Sequence, residues 1–299
     1  MKNHSYLQCF GDVELAVRSR GKGVPFVWGH SLMGSMRVED RAGLWDWSGI
    51  ERYTQVVRYD ARGHGNSDGS YKKEDYQWGR MAEDMLAVAR WFAVSGGHKR
   101  CILGGISMGA ATALEAATQQ PDQVAGLVLV LPPTAWNTRP RQSAIYRRLA
   151  RVSGFFGAAP YRLLDLLPIP MREDGRSQLT LHTMKGLAKA NPLHVQAALG
   201  GAAQSDMPDP DILRQLQIPT LILAWEDDMA HPVSTAMELS DSLPDVRGLV
   251  ICHPGDIREW ETAMVKFVKQ IAAKRVAHRR APAGSTKTAK KRNRSAKAA

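Results

Sequence analysis

Cysteine is scarce in this chain of 299 residues: Cys9, Cys101 and Cys252 are odd in number, widely separated and never in a C-x-x-C pair. That pattern excludes a disulfide framework and a thiolate zinc site. Two of the three sit in apolar runs, where a thiol acts as a small hydrophobe in a reducing compartment, so a cytoplasmic location is expected. Long apolar stretches are missing as well. No run reaches the ~18 residues needed to span a bilayer, and residues 1–10 lack the apolar core of a signal peptide. No pair of His, Asp or Glu has the spacing of H-E-x-x-H. Gly63-His64-Gly65 lacks both the longer glycine pattern and the Lys-Ser/Thr ending of a phosphate cradle. Neither a metal nor a cofactor is implied, and there is no internal repeat.

Acidic residues are absent from one end of the chain. From Lys274 onward there are ten Lys and Arg and no Asp or Glu, so the net charge of +11 belongs almost entirely to that end. Residues 279–299 carry no large apolar side chain and cannot offset their ordering entropy by burial, so a disordered basic tail is expected there. Such a tail suits weak electrostatic contact with nucleic acid or acidic surfaces, or simply solubilises the protein.

What is present is an alternation of apolar runs and helical spacing. Residues 7–18 alternate around Gly11-Asp12, predicting a hairpin. Apolar runs at 24–28, 55–60, 101–104, 124–131, 219–225 and 247–252 read as strands. Helical patterns follow at 77–94, 110–117, 234–243 and 257–274. Strands apolar enough to be buried on both faces, interleaved with helices, predict an α/β fold with a mostly parallel central sheet flanked by helices. The alternation pauses over 136–214, which is rich in Arg and Leu and broken by Pro160, Pro168, Pro170 and Pro192. This stretch reads as a helical cap inserted into a core of residues 6–135 and 215–274.

Gly105-Ile106-Ser107-Met108-Gly109 spells G-x-S-x-G between a strand and an alanine-rich helix. Glycines two residues either side let strand and helix approach closely, and the sharp turn lifts the serine hydroxyl above the sheet edge. The helix N-terminus beside it offers backbone N–H groups to a developing oxyanion. A plain helix-capping serine is the alternative reading, although the flanking glycines argue against it.

In this context the chain resembles the α/β-hydrolase fold superfamily over roughly residues 6–274. Trp28-Gly29-His30-Ser31-Leu32-Met33-Gly34 resembles its oxyanion loop, and Asp60-Ala61-Arg62-Gly63-His64-Gly65-Asn66-Ser67 its D-x-R-G-x-G-x-S turn. Residues 105–109 match its nucleophile elbow, and 221–232 its acid-bearing loop. The resemblance implies acyl transfer through Ser107, an oxyanion hole from the N–H groups of Leu32 and Met108, and Asp228, ahead of its neighbour Asp227, to orient a histidine. His30 and His64 read as structural.

Two departures stand out. Ser31 occupies a position where the family usually has glycine. The histidine expected soon after the last strand is also displaced, because Asp256 or Ile257 fills its place in His253-Pro254-Gly255-Asp256-Ile257. His253, at the strand's end, is the first candidate for the base; His231, three residues after Asp228, is the second. A chain without a base is the third possibility.

Within the cap, Ile145, Leu149, Val152, Phe155, Phe156, Tyr161, Leu163, Leu164, Leu166 and Leu167 read as an apolar pocket lining. Arg139, Arg141, Arg147, Arg148 and Arg151 read as a solvated face rather than an anion site. The function expected is a serine hydrolase that cleaves a small or medium carboxylic ester, thioester or lactone through an acyl-enzyme on Ser107. The rival is a hydrolase-fold binding protein with an incomplete triad and no turnover.

Overall fold

Apolar residues at successive strand positions point to opposite faces of a sheet, and here both faces are covered. In the computed structural model, which describes residues 5–166, 174–254 and 256–280, the strands are β1 (Tyr6–Phe10), β2 (Val13–Gly21), β3 (Val24–Gly29), β4 (Thr54–Tyr59), β5 (Cys101–Ile106), β6 (Val124–Val130), β7 (Thr220–Trp225) and β8 (Val246–Cys252). They form one sheet in the order β1-β2-β4-β3-β5-β6-β7-β8. The pairings β1–β2 and β2–β4 are antiparallel, and all others are parallel. The mostly parallel sheet and the hairpin around Gly11-Asp12 agree with the sequence reading.

The helices are α1 (Met36–Ala42), α2 (Ser48–Glu51), α3 (Trp78–Ser95), α4 (Met108–Gln119), α5 (Arg139–Phe156), α6 (Ala159–Asp165), α7 (Gly175–Leu187), α8 (Pro192–Gln204), α9 (Pro210–Leu213), α10 (Val233–Ser242) and α11 (Arg258–Arg280). On one face of the sheet Val27, Leu103, Leu129 and Ile222 pack with Met85, Ala113 and Leu239 of α3, α4 and α10. On the other, Phe26, Trp28, Ile102, Val128 and Leu223 pack with Trp260, Met264 and Phe267 of α11. Full burial of one such side chain is worth about 1.5–3 kcal/mol, so these two layers hold the strand ends in fixed register.

Between β6 and β7 the described residues are helical, from α5 to α9. Arg139, expected on a solvated face, is instead 3% exposed and ties this segment to the core. Its guanidinium lies over Trp78 at 4.3 Å, its Nε donates to Ser205 O at 2.7 Å, and its Nη2 donates to Ala202 O. A guanidinium stacked on an aromatic ring and bonded to carbonyls needs no counter-charge to be tolerated there. The expected apolar lining differs too. Phe155 is 85% exposed and Leu166 80%, and Ile145, Leu149, Val152, Phe156 and Leu163 also face solvent. Among the described side chains of this set Tyr161 turns inward, its hydroxyl 2.6 Å from Ser153 Oγ, and the side chain of Leu164 lies outside the described ones. The cause is the packing of α5 on α8, which spends the small side chains Ala150 and Ser153 on the contact and turns the large apolar ones outward. Leu167 and nearly all of the basic tail, 281–299, lie outside the described residues.

No helix among the described residues is long and apolar enough to cross a membrane.

Candidate active site

β5 ends at Ile106, and α4 begins at Met108. Only Ser107 makes the turn, at φ 55° and ψ −112°, a left-handed conformation that a side chain adopts at a cost of roughly 1–3 kcal/mol. Close approach is what the glycines permit. A Cβ on Gly109 would collide with the Gly29 carbonyl, and one on Gly105 would lie 2.5 Å from that same oxygen. The Ser107 N–H donates to Val130 O at 2.8 Å, which pins the elbow to the neighbouring strand.

The ring that meets this serine is His231. Its Nε2 lies 2.8 Å from Ser107 Oγ, and its Nδ1 lies 2.9 Å from Asp228 Oδ2. A carboxylate can only accept, so Nδ1 carries a proton, and the tautomer that leaves Nε2 bare presents its lone pair to the serine O–H. Asp228 accepts further bonds from Trp225 Nε1 (2.8 Å), Ala230 N (2.9 Å) and His231 N (3.2 Å). Burial pushes its carboxyl upward, but the His231 ring and these other donors outweigh that and hold it well below the usual carboxylate range. Trp225 is itself fixed by stacking on Trp260 of α11, with ring centroids 5.3 Å apart. Asp227 stands at φ 58° and is exposed, its carbonyl taken by Arg176.

His253, the first candidate from sequence, is exposed at the end of β8 and is not the ring on Ser107. The reason is topological. β8 is the edge strand, three places from β5, roughly 14 Å away at the usual strand spacing. The chain turns at once into α11, the Asp256 N–H donating to His253 O at 2.9 Å. This short, self-bonded connection leaves no loop to carry a side chain back across β7 and β6. The 226–232 loop starts one strand nearer. It is tied to the segment after β6 by Thr134 N donating to Ala230 O at 3.0 Å.

Leu32 lies on the loop after β3 and Met108 at the start of α4, after the neighbouring strand β5. Gly29 and Gly105 are paired across β3 and β5, and each candidate donor stands three residues beyond its glycine. Met108 opens α4, so its N–H has no intrahelical acceptor. Residues 31–34 form a tight turn, Gly34 N donating to Ser31 O at 2.8 Å, with Met33 at φ 60°.

Behind this loop, His30 donates from Nδ1 to Ser31 O (2.8 Å) and accepts at Nε2 from Ala61 N (2.9 Å). Burial pulls its pKa down to about 4, so the ring is a neutral brace. The D-x-R-G turn is braced as well. Asp60 accepts from Met36 N and Asn66 N, and Arg62 grips Asp84 through Nε (2.6 Å) and Nη2 (2.7 Å). Sequence reading missed the parts played by Trp225 and Asp84. Asp84 belongs to no motif, and Trp225, although inside the 221–232 segment, is singled out only by its contacts.

Among the described residues no group of three or more His, Cys, Asp or Glu side chains could hold a metal ion. What remains is an alcohol, an imidazole and a carboxylate in series, next to helix N–H donors, which is the equipment of nucleophilic acyl transfer.

Comparison with known proteins bears on the fold and the family. The "Putative carbamate hydrolase RutD" of Shigella flexneri is 28% identical over 213 residues, covering 69% of this chain and 76% of the relative. The enol-lactonase from Burkholderia xenovorans LB400 superposes with a TM-score of 0.68 at 18% identity, over 90% of this chain and 100% of that one. A thermophilic esterase from Thermogutta terrifontis gives a TM-score of 0.63 at 20% identity, over 92% and 98% of the two chains. Likeness at such identity speaks for the fold alone. The model of the family Hydrolase_4, described as serine aminopeptidase, S33, matches residues 51–257, more than half of the chain. The protein is thus an α/β-hydrolase enzyme, and the chain belongs to the Hydrolase_4 family.

Proposed function

We propose that the protein is a serine hydrolase acting on a small or medium carboxylic ester, thioester or lactone, with Ser107 as nucleophile, His231 as general base and Asp228 as its orienting carboxylate. The observation that carries the reading is the 2.8 Å approach of His231 Nε2 to Ser107 Oγ, with the opposite ring nitrogen held by Asp228. As Oγ attacks the carbonyl carbon, its proton passes to Nε2 and the carbonyl oxygen becomes an oxyanion facing the Leu32 and Met108 N–H groups. The imidazolium, stabilised by Asp228, then gives that proton to the departing alkoxide, thiolate or ring oxygen. A water molecule activated by the same ring releases the acid from Ser107. Each oxyanion donor is worth about 2.7–4 kcal/mol in comparable sites. The same attack applies to a carbamate carbonyl, the bond for which the Shigella relative is named.

Fluorophosphonate labelling tests the reading. Wild-type protein should be labelled covalently and Ser107→Ala should not. Absence of label on the wild type, or equal label on both, would overturn it.

A further inference from the structure

A cavity of about 370 Å³ lies between α1, α7, the start of α8 and the D-x-R-G turn, and none of Ser107, His231 and Asp228 lines it. Its volume falls in the range of small-molecule sites. α1 and α7 meet closely at Gly186, where an added Cβ would come 3.3 Å from Val38, and each helix leaves its cations beside this contact. Arg37 and Arg41 are one turn apart on α1, and Lys185, in the last turn of α7, and Lys189, in the turn just past it, have the same four-residue spacing. All four line the cavity, and none has an ion pair or side-chain hydrogen bond among the described residues.

The one carboxylate on the wall among the described residues, Asp60, is consumed by the Met36 and Asn66 N–H groups and is no counter-ion for them. His182 on the same wall has its pKa lowered, by burial first and then by Lys185 and Arg41, as expected where positive charge gathers without compensation.

A second, independent observation concerns the cavity wall formed by the D-x-R-G turn. His64 is 5% exposed and donates from Nδ1 to Arg62 O at 2.8 Å. Its Nε2 is buried and has no partner. With the proton fixed on Nδ1, that nitrogen is a lone-pair acceptor, and burial keeps the ring neutral. Buried acceptors left unsatisfied are rare and costly, so an occupant that supplies a donor is favoured here.

We propose that this cavity binds a small polyanion bearing a hydroxyl group, its carboxylate or phosphate groups held by Arg37, Arg41, Lys185 and Lys189 and its hydroxyl donating to His64 Nε2. The site lies against Met33 and Gly34 of the oxyanion loop and stands independently of the reaction proposed above.

Calorimetric titration of the full chain tests this with matched probes. Citrate and tricarballylate carry the same three carboxylates and differ by one hydroxyl. Glycerol 3-phosphate and propyl phosphate make the corresponding comparison on a phosphate, and the tighter pair identifies the anionic group. The expected result is saturable binding of the hydroxylated probe, at least about tenfold tighter than its deoxy partner. It should weaken at least about tenfold in Lys185→Ala/Lys189→Ala. It should be unchanged in Arg147→Ala/Arg148→Ala, which removes the same charge from the exposed surface of α5. All four positions are exposed, so the folded state should survive either pair of substitutions. No saturable binding, equal affinity for hydroxylated and deoxy probes, or equal weakening in both variants would overturn the proposal.

Discussion

Replacing Asp228 by Asn changes one atom of the site and inverts its hydrogen-bond logic. The carboxylate accepts from Trp225 Nε1, Ala230 N, His231 N and His231 Nδ1. An amide has one acceptor oxygen and two donor hydrogens. If the oxygen stays on the two backbone N–H groups, the NH2 faces Trp225 Nε1–H and His231 Nδ1–H. The imidazole then escapes a donor–donor clash by moving its proton to Nε2. That tautomer presents N–H rather than a lone pair to Ser107 Oγ, 2.8 Å away. In serine proteases the equivalent change keeps the geometry and lowers kcat about 10⁴-fold, close to 5.4 kcal/mol at about 1.36 kcal/mol per tenfold.

The same loss is expected here in the hydrolysis of a short-chain p-nitrophenyl ester, whereas Asp227→Asn should keep wild-type activity. Stability should follow with a defined sign. The Asp228 carboxyl is held below its unfolded value of about 3.9. Its stabilisation is therefore present in full above that value and is lost as pH falls through the folded one. The urea-denaturation gap between wild type and Asp228→Asn should be widest near neutrality and close as the medium is acidified. An Asp228→Asn rate within tenfold of wild type would refute the reasoning.

Two further outcomes follow from backbone and core. Ser107→Gly and Ser107→Ala both lose the hydroxyl, so their difference isolates the strain at φ 55°. The glycine variant should be the more stable by about 1–2 kcal/mol in urea denaturation, opposite to the usual alanine preference. Arg62→Ala should leave the buried Asp84 carboxylate with the longer, 3.3 Å contact to Arg80 in place of its paired one, and cost about 3 kcal/mol in the same assay. A loss below about 1 kcal/mol would mean that this pair is solvated.

The elbow was legible because its requirement is local: a left-handed serine between glycines can be read within five residues, and the flanking runs set strand before helix. The parallel sheet was legible for a similar reason, since strands such as β5 and β6 are apolar on both faces. His231 was harder to place. Its partner Asp228 is three residues away in a loop, where spacing says nothing about direction. Ser107 is 124 residues away. Reading the base from the family's usual position favoured His253, and that inference could not see how short the turn into α11 is. α1 and α2 were not read at all, being brief and held mainly by tertiary contacts. The cap misled because helical spacing shows which residues share a face, but not whether that face turns inward. Phe155 and Leu149 looked like lining and are exposed, whereas Arg139 looked solvated and is buried.

The most direct test of the account compares fluorophosphonate labelling rates of His231→Ala and His253→Ala. His231→Ala should react at least about 10³-fold more slowly than wild type, and His253→Ala within about twofold of it. A collapse in His253→Ala with His231→Ala near the wild-type rate would contradict the assignment of the base, and with it the proposed triad.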